Sequence, residues 1–255
     1  MHFNSICFVA ANLIEAEKAR DLLIREYGSV APEKADVIVA LGGDGLMLET
    51  LHKFMNLGTP IYGMNKGSIG FLMNEYKEEE LLIRLGNAVV TELHPLRMAV
   101  IDINDSEQQA LAINEVALFR ETRLAAKINI LIDDVERMQE MICDGVMVTT
   151  PAGSTAYNLS AHGPIIPLGA ELLAVTPISP FRPRRWRGAL LPQSATVTFS
   201  VIEPKYRSVS ATADFAEVRD VKHVTISQDS SISLNLMYDP EHNLEERILN
   251  EQFQP

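Results

Sequence analysis

Cysteine is scarce: Cys7 and Cys143 are the only two in 255 residues. Two scattered thiols build neither a disulfide framework nor a thiolate cage, so a reducing cytoplasm is the expected compartment. The six histidines form no HxxxH pair, and no protein-bound metal site is expected. Basic charge is also short. Against 34 Asp and Glu stand 22 Lys and Arg, a formal net charge of -12. A surface this acidic excludes a general binder of nucleic acid or of anionic membrane, because phosphate backbones attract basic faces. A small phosphate ligand in a locally basic pocket is not excluded. No apolar run is long enough to span a bilayer. The apolar start, Met1 to Ala11, is short and lacks a basic leader, so it reads as a buried first strand rather than a signal peptide. Repeats and low-complexity tracts are missing as well.

What is present suits a folded enzyme-sized chain. Hydrophobic residues make up 47% and charged residues 22%, ordinary for a globular protein with a real core. The first third alternates. Strands are expected from Ser5 to Ala11, Asp36 to Leu41 and Pro60 to Met64, and helices from Ile14 to Tyr27, Leu46 to Leu57 and Lys77 to Leu85. The near-continuous apolar run DVIVAL suits a parallel strand covered on both faces. This pattern predicts an α/β N-terminal domain, doubly wound and Rossmann-like, over residues 1–93.

The texture changes between Thr91 and Pro95. Short strands separated by turn formers follow, including Met98 to Ile103, Ala112 to Phe119, Ile128 to Ile132, Val146 to Thr149, Ala195 to Ile202 and Val224 to Ser227. They predict an all-β C-terminal domain over 94–255, interrupted by one helix from Thr155 to Ala161, with a tail that can return to the first domain. The Pro/Arg-rich stretch from Pro177 to Arg187 is expected to be an ordered loop, because Phe181 and Trp186 call for burial.

Four clusters carry chemistry. The first, Leu41-Gly42-Gly43-Asp44-Gly45, follows an apolar strand and opens a helix. In open α/β sheets ligands bind at the carboxyl ends of strands. Successive glycines let backbone N–H groups approach a phosphate, and a helix N-terminus adds a favourable dipole. The plain alternative is that Asp44 only caps the helix. The second cluster, from Gly63 to Leu72 (GMNKGSIGFL), follows another strand; its glycines and Asn65 suggest a loop pressed on a ligand, and Ile69, Phe71 and Leu72 are too apolar for water. The third is Asn114-Glu115 within an apolar strand, where buried polar groups need partners and can meet ribose hydroxyls or an adenine edge. The fourth runs from Asp144 to Tyr157 (DGVMVTTPAGSTAY) and continues to Ser160. It gathers hydroxyls, backbone N–H groups and an aromatic face at one helix mouth, although Ser154 or Thr155 as an ordinary N-cap explains part of it.

In this order the clusters LGGDG, GMNKGSIGFL, NEVAL and DGVMVTTPAGSTAYNLSAHGP resemble the NAD kinase family, over roughly residues 36 to 228. GGDG alone is shared with diacylglycerol kinases and phosphofructokinase-like enzymes. The long fourth motif is far more specific, and TPISPFRPRRWRGALLP looks like the bacterial branch. The resemblance implies an α/β domain followed by a β-sandwich-like domain with the active site between them, a homodimer or homotetramer, and NAD and ATP as substrates. It implies Mg²⁺ or another divalent cation carried with ATP.

It also implies roles. Asp44 matches the acid that activates the 2′-hydroxyl of the adenosine ribose. Gly45, Leu48 and Phe71 line the same pocket. Asn114 and Glu115 match a pair on the NAD ribose and phosphate region, and Asp144 an acid on the nicotinamide-side nucleoside. Thr155, Ala156, Tyr157 and Ser160 match the segment that holds adenine and ribose. Gly42, Gly43, Asn65 and Asp214 fall on the phosphate or donor side. One departure stands out: some members carry a basic residue two positions before the DG aspartate, where this chain has Ile142. Arg182, Arg184, Arg185 and Arg187 are candidates to replace its phosphate contact, with a solvated basic loop as the alternative. A lipid or sugar kinase and a non-catalytic NADP sensor remain rival readings.

Overall fold

The structure, a computed structural model, describes residues 3–67 and 70–240. Ser68 and Ile69 of the second cluster lie outside the described residues. The chain forms two compact units, one from Met1–Leu93 joined by Ile232 onward, the other His94–Ser231. The second unit therefore ends before the chain does, at Ser231 rather than at residue 255.

The first unit opens with β1 (Ile6–Ala10), α1 (Ile14–Tyr27), β2 (Val37–Gly42), α2 (Asp44–Phe54), β3 (Ile61–Asn65), α3 (Leu81–Asn87) and β4 (Val89–Leu93). β2 is buried along its whole length, as a strand covered on both faces must be. Val37, Val39 and Leu41 share a core with Ala19 and Leu23 of α1 and with Leu81 and Leu85 of α3. On β3, Tyr62 and Met64 join that core. Gly63, between them, faces the other way, against Met47 of α2. Helices thus cover both faces. α3 begins at Leu81 instead of Lys77, because side chains have taken the carbonyls ahead of it. Arg84 donates to the carbonyls of Glu75 and Lys77 and Tyr27 to that of Glu78, and Glu80 is left-handed at φ 56°. α2 starts two residues early, at Asp44, and closes at Phe54 with a 3₁₀ turn, Met55–Leu57.

The second unit contains β5 (Leu96–Asp102), β6 (Glu107–Ala112), β7 (Glu115–Arg120), β8 (Ala126–Ile132), β9 (Val135–Cys143), β10 (Gly145–Thr149), α4 (Tyr157–Ser160), β11 (Leu172–Ile178), β12 (Ala189–Pro192), β13 (Val197–Val201), β14 (Val209–Ala213), β15 (Ala216–Val218) and β16 (Val221–Gln228). They make two six-stranded sheets, ordered β12-β11-β10-β7-β14-β15 and β6-β5-β16-β13-β8-β9, with antiparallel pairing throughout. Inward residues of both sheets form one core, for example Val116, Val148 and Val175 from the first and Ile128, Phe199 and Val224 from the second. This is a β-sandwich, with polar residues alternating outward.

Three expectations change here. The strand expected from Ala112 to Phe119 is two: β6 and β7 belong to different sheets, and Ile113 and Asn114 make the crossing. The helix expected from Thr155 to Ala161 is a 3₁₀ turn, Ala152–Thr155, broken at Ala156 (φ −87°, ψ −130°) and followed by one turn of α4. Phe181 is 51% exposed; only Trp186, half-buried, packs on the sandwich core.

After the second unit the chain returns as β17 (Leu234–Tyr238), which completes the first unit's sheet in the order β1-β2-β3-β17-β4. β17 runs parallel to β3 and antiparallel to β4. Buried Asn74 ties it down. Its amide donates to the carbonyls of Gly63 and Met237, and its side-chain oxygen accepts the Asp239 N–H. No helix among the described residues is long and apolar enough to cross a membrane.

Candidate functional site

The candidate residues divide between the two units. In the first, β2 delivers the glycine turn to the sheet's carboxyl edge. Gly42 is a packing residue: a Cβ there would lie 2.7 Å from Leu46 Cδ2 and 3.2 Å from Ala11 Cβ. Gly43 and Gly45 differ. A Cβ at either meets nothing within 4 Å, and Gly43 is in extended backbone (φ −118°, ψ −170°) that any residue adopts. Neither neighbours nor backbone demand glycine at these two positions. The open space beside them suits an incoming ligand and main-chain N–H groups that can reach it.

Asp44 is the first residue of α2 and does not serve as its N-cap; Gly43 holds that position, without a side-chain cap. The Asp44 carboxylate instead accepts two backbone N–H groups, Phe71 to Oδ2 at 2.8 Å and Leu72 to Oδ1 at 2.9 Å. The segment 70–72 comes this close because Gly70 lacks a Cβ, which would sit 2.8 Å from Met73 Cγ and 3.3 Å from Asp44 Oδ1. Two bonds from fixed backbone hold the carboxylate in one orientation. The neighbouring loop is equally tied. Asn65 Oδ1 accepts the Gly67 N–H at 2.8 Å, and the Lys66 N–H donates to the Gly42 carbonyl at 2.8 Å. Leu48 is buried beneath, Leu72 is buried, and Phe71 is half-buried.

In the second unit the crossing between β6 and β7 concentrates the polar groups. Ile113, Asn114 and Glu115 present three successive N–H groups to Asp214 at 2.6, 3.1 and 3.3 Å. The Asn114 carbonyl accepts the Thr150 N–H and the hydroxyls of Thr149 and Thr150. Held between these partners, Asn114 Oδ1 and Glu115 Oε2 are buried and have no hydrogen-bond partner among the described residues. Buried polar atoms normally find one, so each of these two oxygens can still meet an incoming hydrogen-bonding group such as a sugar hydroxyl. Burial, with the charge of Asp214 second, pushes the Glu115 carboxyl up to about 7.

Beyond the crossing, Tyr157 and Ser160 line a cavity of about 390 Å³ with His162, Ser179, Trp186 and Arg187. The Tyr157 ring leans on Phe119, centroids 5.8 Å apart. Thr155 and Ala156 form the turn that leads into α4. Beneath it, fully buried Asn158 bonds the carbonyls of Ser154 and Pro164 and accepts the Thr176 hydroxyl at 2.6 Å. Asp144 pairs with Arg120, Nε to Oδ1 2.5 Å. The four loop arginines separate. Arg182 and Arg184 approach the exposed Phe181 ring at 5.8 and 5.0 Å, and Arg182 pairs through its backbone with Ile142. Of the four, only Arg187 lines the cavity.

The structure thus gathers Asn114, Glu115 and Asp214 at one crossing, Asp44 with Phe71, and Tyr157 with Ser160. Sequence reasoning passed over Asn74, Arg120 and Asn158, and gave no role of their own to Thr149 and Thr150 inside the fourth cluster. The paired threonines before Pro151 carried a signal, since two hydroxyls at the end of a buried strand need acceptors. Asn74 and Asn158 carried none, because most of their partners are backbone groups, which leave no mark on residue identity.

Two family models match the chain, one described as the ATP-NAD kinase N-terminal domain over residues 12–91, the other as the ATP-NAD kinase C-terminal domain over 113–236. The NAD kinase of Caulobacter vibrioides is 58% identical over 248 residues, covering 97% of this chain and 95% of that protein. The NAD kinase of Rhizobium meliloti is 54% identical over 251 residues, 98% of each. Among solved structures, yeast NADH kinase complexed with NADH aligns with a TM-score of 0.85 at 21% identity, over 98% of this chain and 87% of that one. An NAD kinase from Archaeoglobus fulgidus in complex with ATP aligns at 0.77 with 24% identity, over 96% and 98%. At these identities the structural likeness is one of fold.

Proposed function

This chain belongs to the ATP-NAD kinase family, and we propose that its Asp44 orients the 2′-hydroxyl of the adenosine ribose of NAD for attack on the terminal phosphorus of ATP. The enzyme is a phosphotransferase that makes NADP from NAD and ATP. The 2′-oxygen forms a bond to the γ-phosphorus, the bond from that phosphorus to the β,γ-bridging oxygen breaks, and ADP leaves. Asp44 takes the hydroxyl proton late in the step. The observation that carries this assignment is the Asp44 carboxylate, fixed by the Phe71 and Leu72 N–H groups next to two glycines that open onto free space.

Asn114 and Glu115 hold ribose hydroxyls through their orphaned oxygens, and Thr155, Ala156, Tyr157 and Ser160 hold base and ribose. Asp144 and Arg120 form a charged pair beside the nicotinamide-side nucleoside. Gly42, Gly43 and Asn65 shape the phosphate side, and Gly45, Leu48 and Phe71 line the NAD pocket beside Asp44. A divalent cation such as Mg²⁺ enters as part of the ATP substrate and neutralises phosphate charge. Among the described residues no group of three or more His, Cys, Asp or Glu side chains is arranged to hold it. We further place the enzyme in the cytoplasm, as a homodimer or homotetramer; two buried free thiols support that compartment.

The test is direct. Pure protein is incubated with MgATP and NAD, and NADP is read with an NADP-specific dehydrogenase; a parallel tube receives NADH. NADP formed only when ATP is present is the expected result. NADP-free tubes, with NAD recovered unchanged, overturn the reading.

A further inference from the structure

Asp214 was expected on the donor side, yet its carboxylate faces a different target. It stands in a tight turn between β14 and β15, in the left-handed region at φ 47°. Asp and Asn tolerate that conformation better than most residues. From there Oδ2 accepts the Ile113 N–H at 2.6 Å, and Oδ1 accepts those of Asn114 at 3.1 Å and Glu115 at 3.3 Å. Three consecutive amides converging on one carboxylate form a concave nest of partial positive charge, and only an anion on that side satisfies all three.

The opposite edge of the crossing is fastened too. Thr150 Oγ1 donates to the Ile113 carbonyl at 2.7 Å, and Thr149 and Thr150 both reach the Asn114 carbonyl. Gly153 closes over the same carbonyl. What this clamp leaves unfastened are two side-chain oxygens, Asn114 Oδ1 and Glu115 Oε2, both buried. Without Asp214 the three amides would lose a charged acceptor, and the crossing would be free to rotate those oxygens out of register.

We propose that Asp214 is a positioning residue for NAD: through the backbone of residues 113–115 it sets where Asn114 Oδ1 and Glu115 Oε2 point, and it does not contact the phosphoryl donor. This rests on the reading of Asn114 and Glu115 as NAD ligands. Its consequence runs opposite to a donor-side role, since a donor contact acts on ATP and this one acts on NAD.

Steady-state kinetics decide it. The variants are D214N, D214E, N114A and the double D214N/N114A, each with NAD and ATP varied in turn. D214N keeps the turn conformation but sets an amide NH₂ against a backbone N–H. It is expected to raise KM for NAD about tenfold, as loss of a charge-assisted bond does, with KM for ATP unchanged. D214E, which keeps the charge and displaces it, gives the same split and serves should D214N not fold. Because part of the Asp214 effect runs through Asn114 and the rest through Glu115, the double variant is expected to raise KM for NAD by less than the product of the two single effects. A rise in KM for ATP with KM for NAD unchanged overturns the proposal, and so do effects that multiply in the double variant. An unchanged KM for NAD in N114A overturns the ligand reading itself and the proposal with it; that result in D214N alone overturns only the proposal.

Discussion

Gly153 lies so close to Asn114 that a methyl group on it would stand 2.2 Å from the Asn114 carbonyl oxygen. That oxygen is itself held by the Thr150 N–H and by two threonine hydroxyls, so it has nowhere to go. Gly153→Ala therefore forces the crossing between the sheets apart. A loss of roughly 1–3 kcal/mol of stability is expected, in the range of overpacking in a close-packed interior, along with a higher KM for NAD. Thermal melting and steady-state kinetics on the same preparation check both halves. A variant with native melting and native KM contradicts the assignment of this glycine.

Gly45 predicts the reverse combination. It sits inside α2 with free space where its Cβ would be, so Gly45→Ala removes a poor helix former, and stability is expected to hold or to rise by up to about 1 kcal/mol. Activity is expected to fall, because the methyl group occupies space assigned to the substrate. Comparing melting temperature with kcat/KM for NAD exposes the opposition. Unchanged kcat/KM would mean the space is not used.

Asp44→Asn keeps the side-chain volume, sets an amide NH₂ against the Phe71 or the Leu72 N–H, and removes the proton acceptor. Turnover is expected to drop by about 10²–10⁴, the usual share of a general base, and NAD affinity to stay within a few-fold. Equilibrium titration with NAD, beside kcat from saturated assays, separates the two. Near-normal turnover would remove Asp44 from the chemistry.

Glu115 supplies a pH signature. Its carboxyl is pushed from 4.5 to about 7, chiefly by burial and next by Asp214. A folded-state value above the unfolded one means the native protein holds this proton more tightly. The stability that it contributes is complete below about pH 4.5, and it fades as pH rises through about 7. The substrate-free enzyme should lose melting temperature more steeply between these limits than Glu115→Gln does. Parallel pH–melting curves of the two proteins test this, and identical slopes would count against a buried, titrating Glu115.

Much of the first unit could be read from local pattern. Val37 to Leu41 is apolar without a break, and α1 falls where apolar spacing put it, from Ile14 to Tyr27. The sandwich was recognisable as a class from short strands and turn formers, but not in its pairing. β6 is too polar to look like a strand: its EQQALA is mostly exposed at the sheet edge. The crossing at Ile113-Asn114 was hidden because the apolar end of β6, Ala110 to Ala112, runs straight into β7 and reads with it as one strand, while the Asp214 carboxylate that helps to hold the break lies a hundred residues on. Asp44 stood out as a candidate from its flanking glycines. Its anchoring by Phe71 and Leu72 did not, since backbone donors leave no mark on residue identity.

β17 has a consequence for how the protein is made. It lies between β3 and β4, so until Leu234–Tyr238 has been synthesised β4 has no neighbour in its sheet and β3 has an open edge. The residues from His94 to Ser231 leave the ribosome before that strand does. The inserted sandwich can therefore mature while the unit begun first still waits for its last strand, and a ribosome that stalls shortly after Ser231 releases a finished sandwich attached to an α/β layer that cannot close.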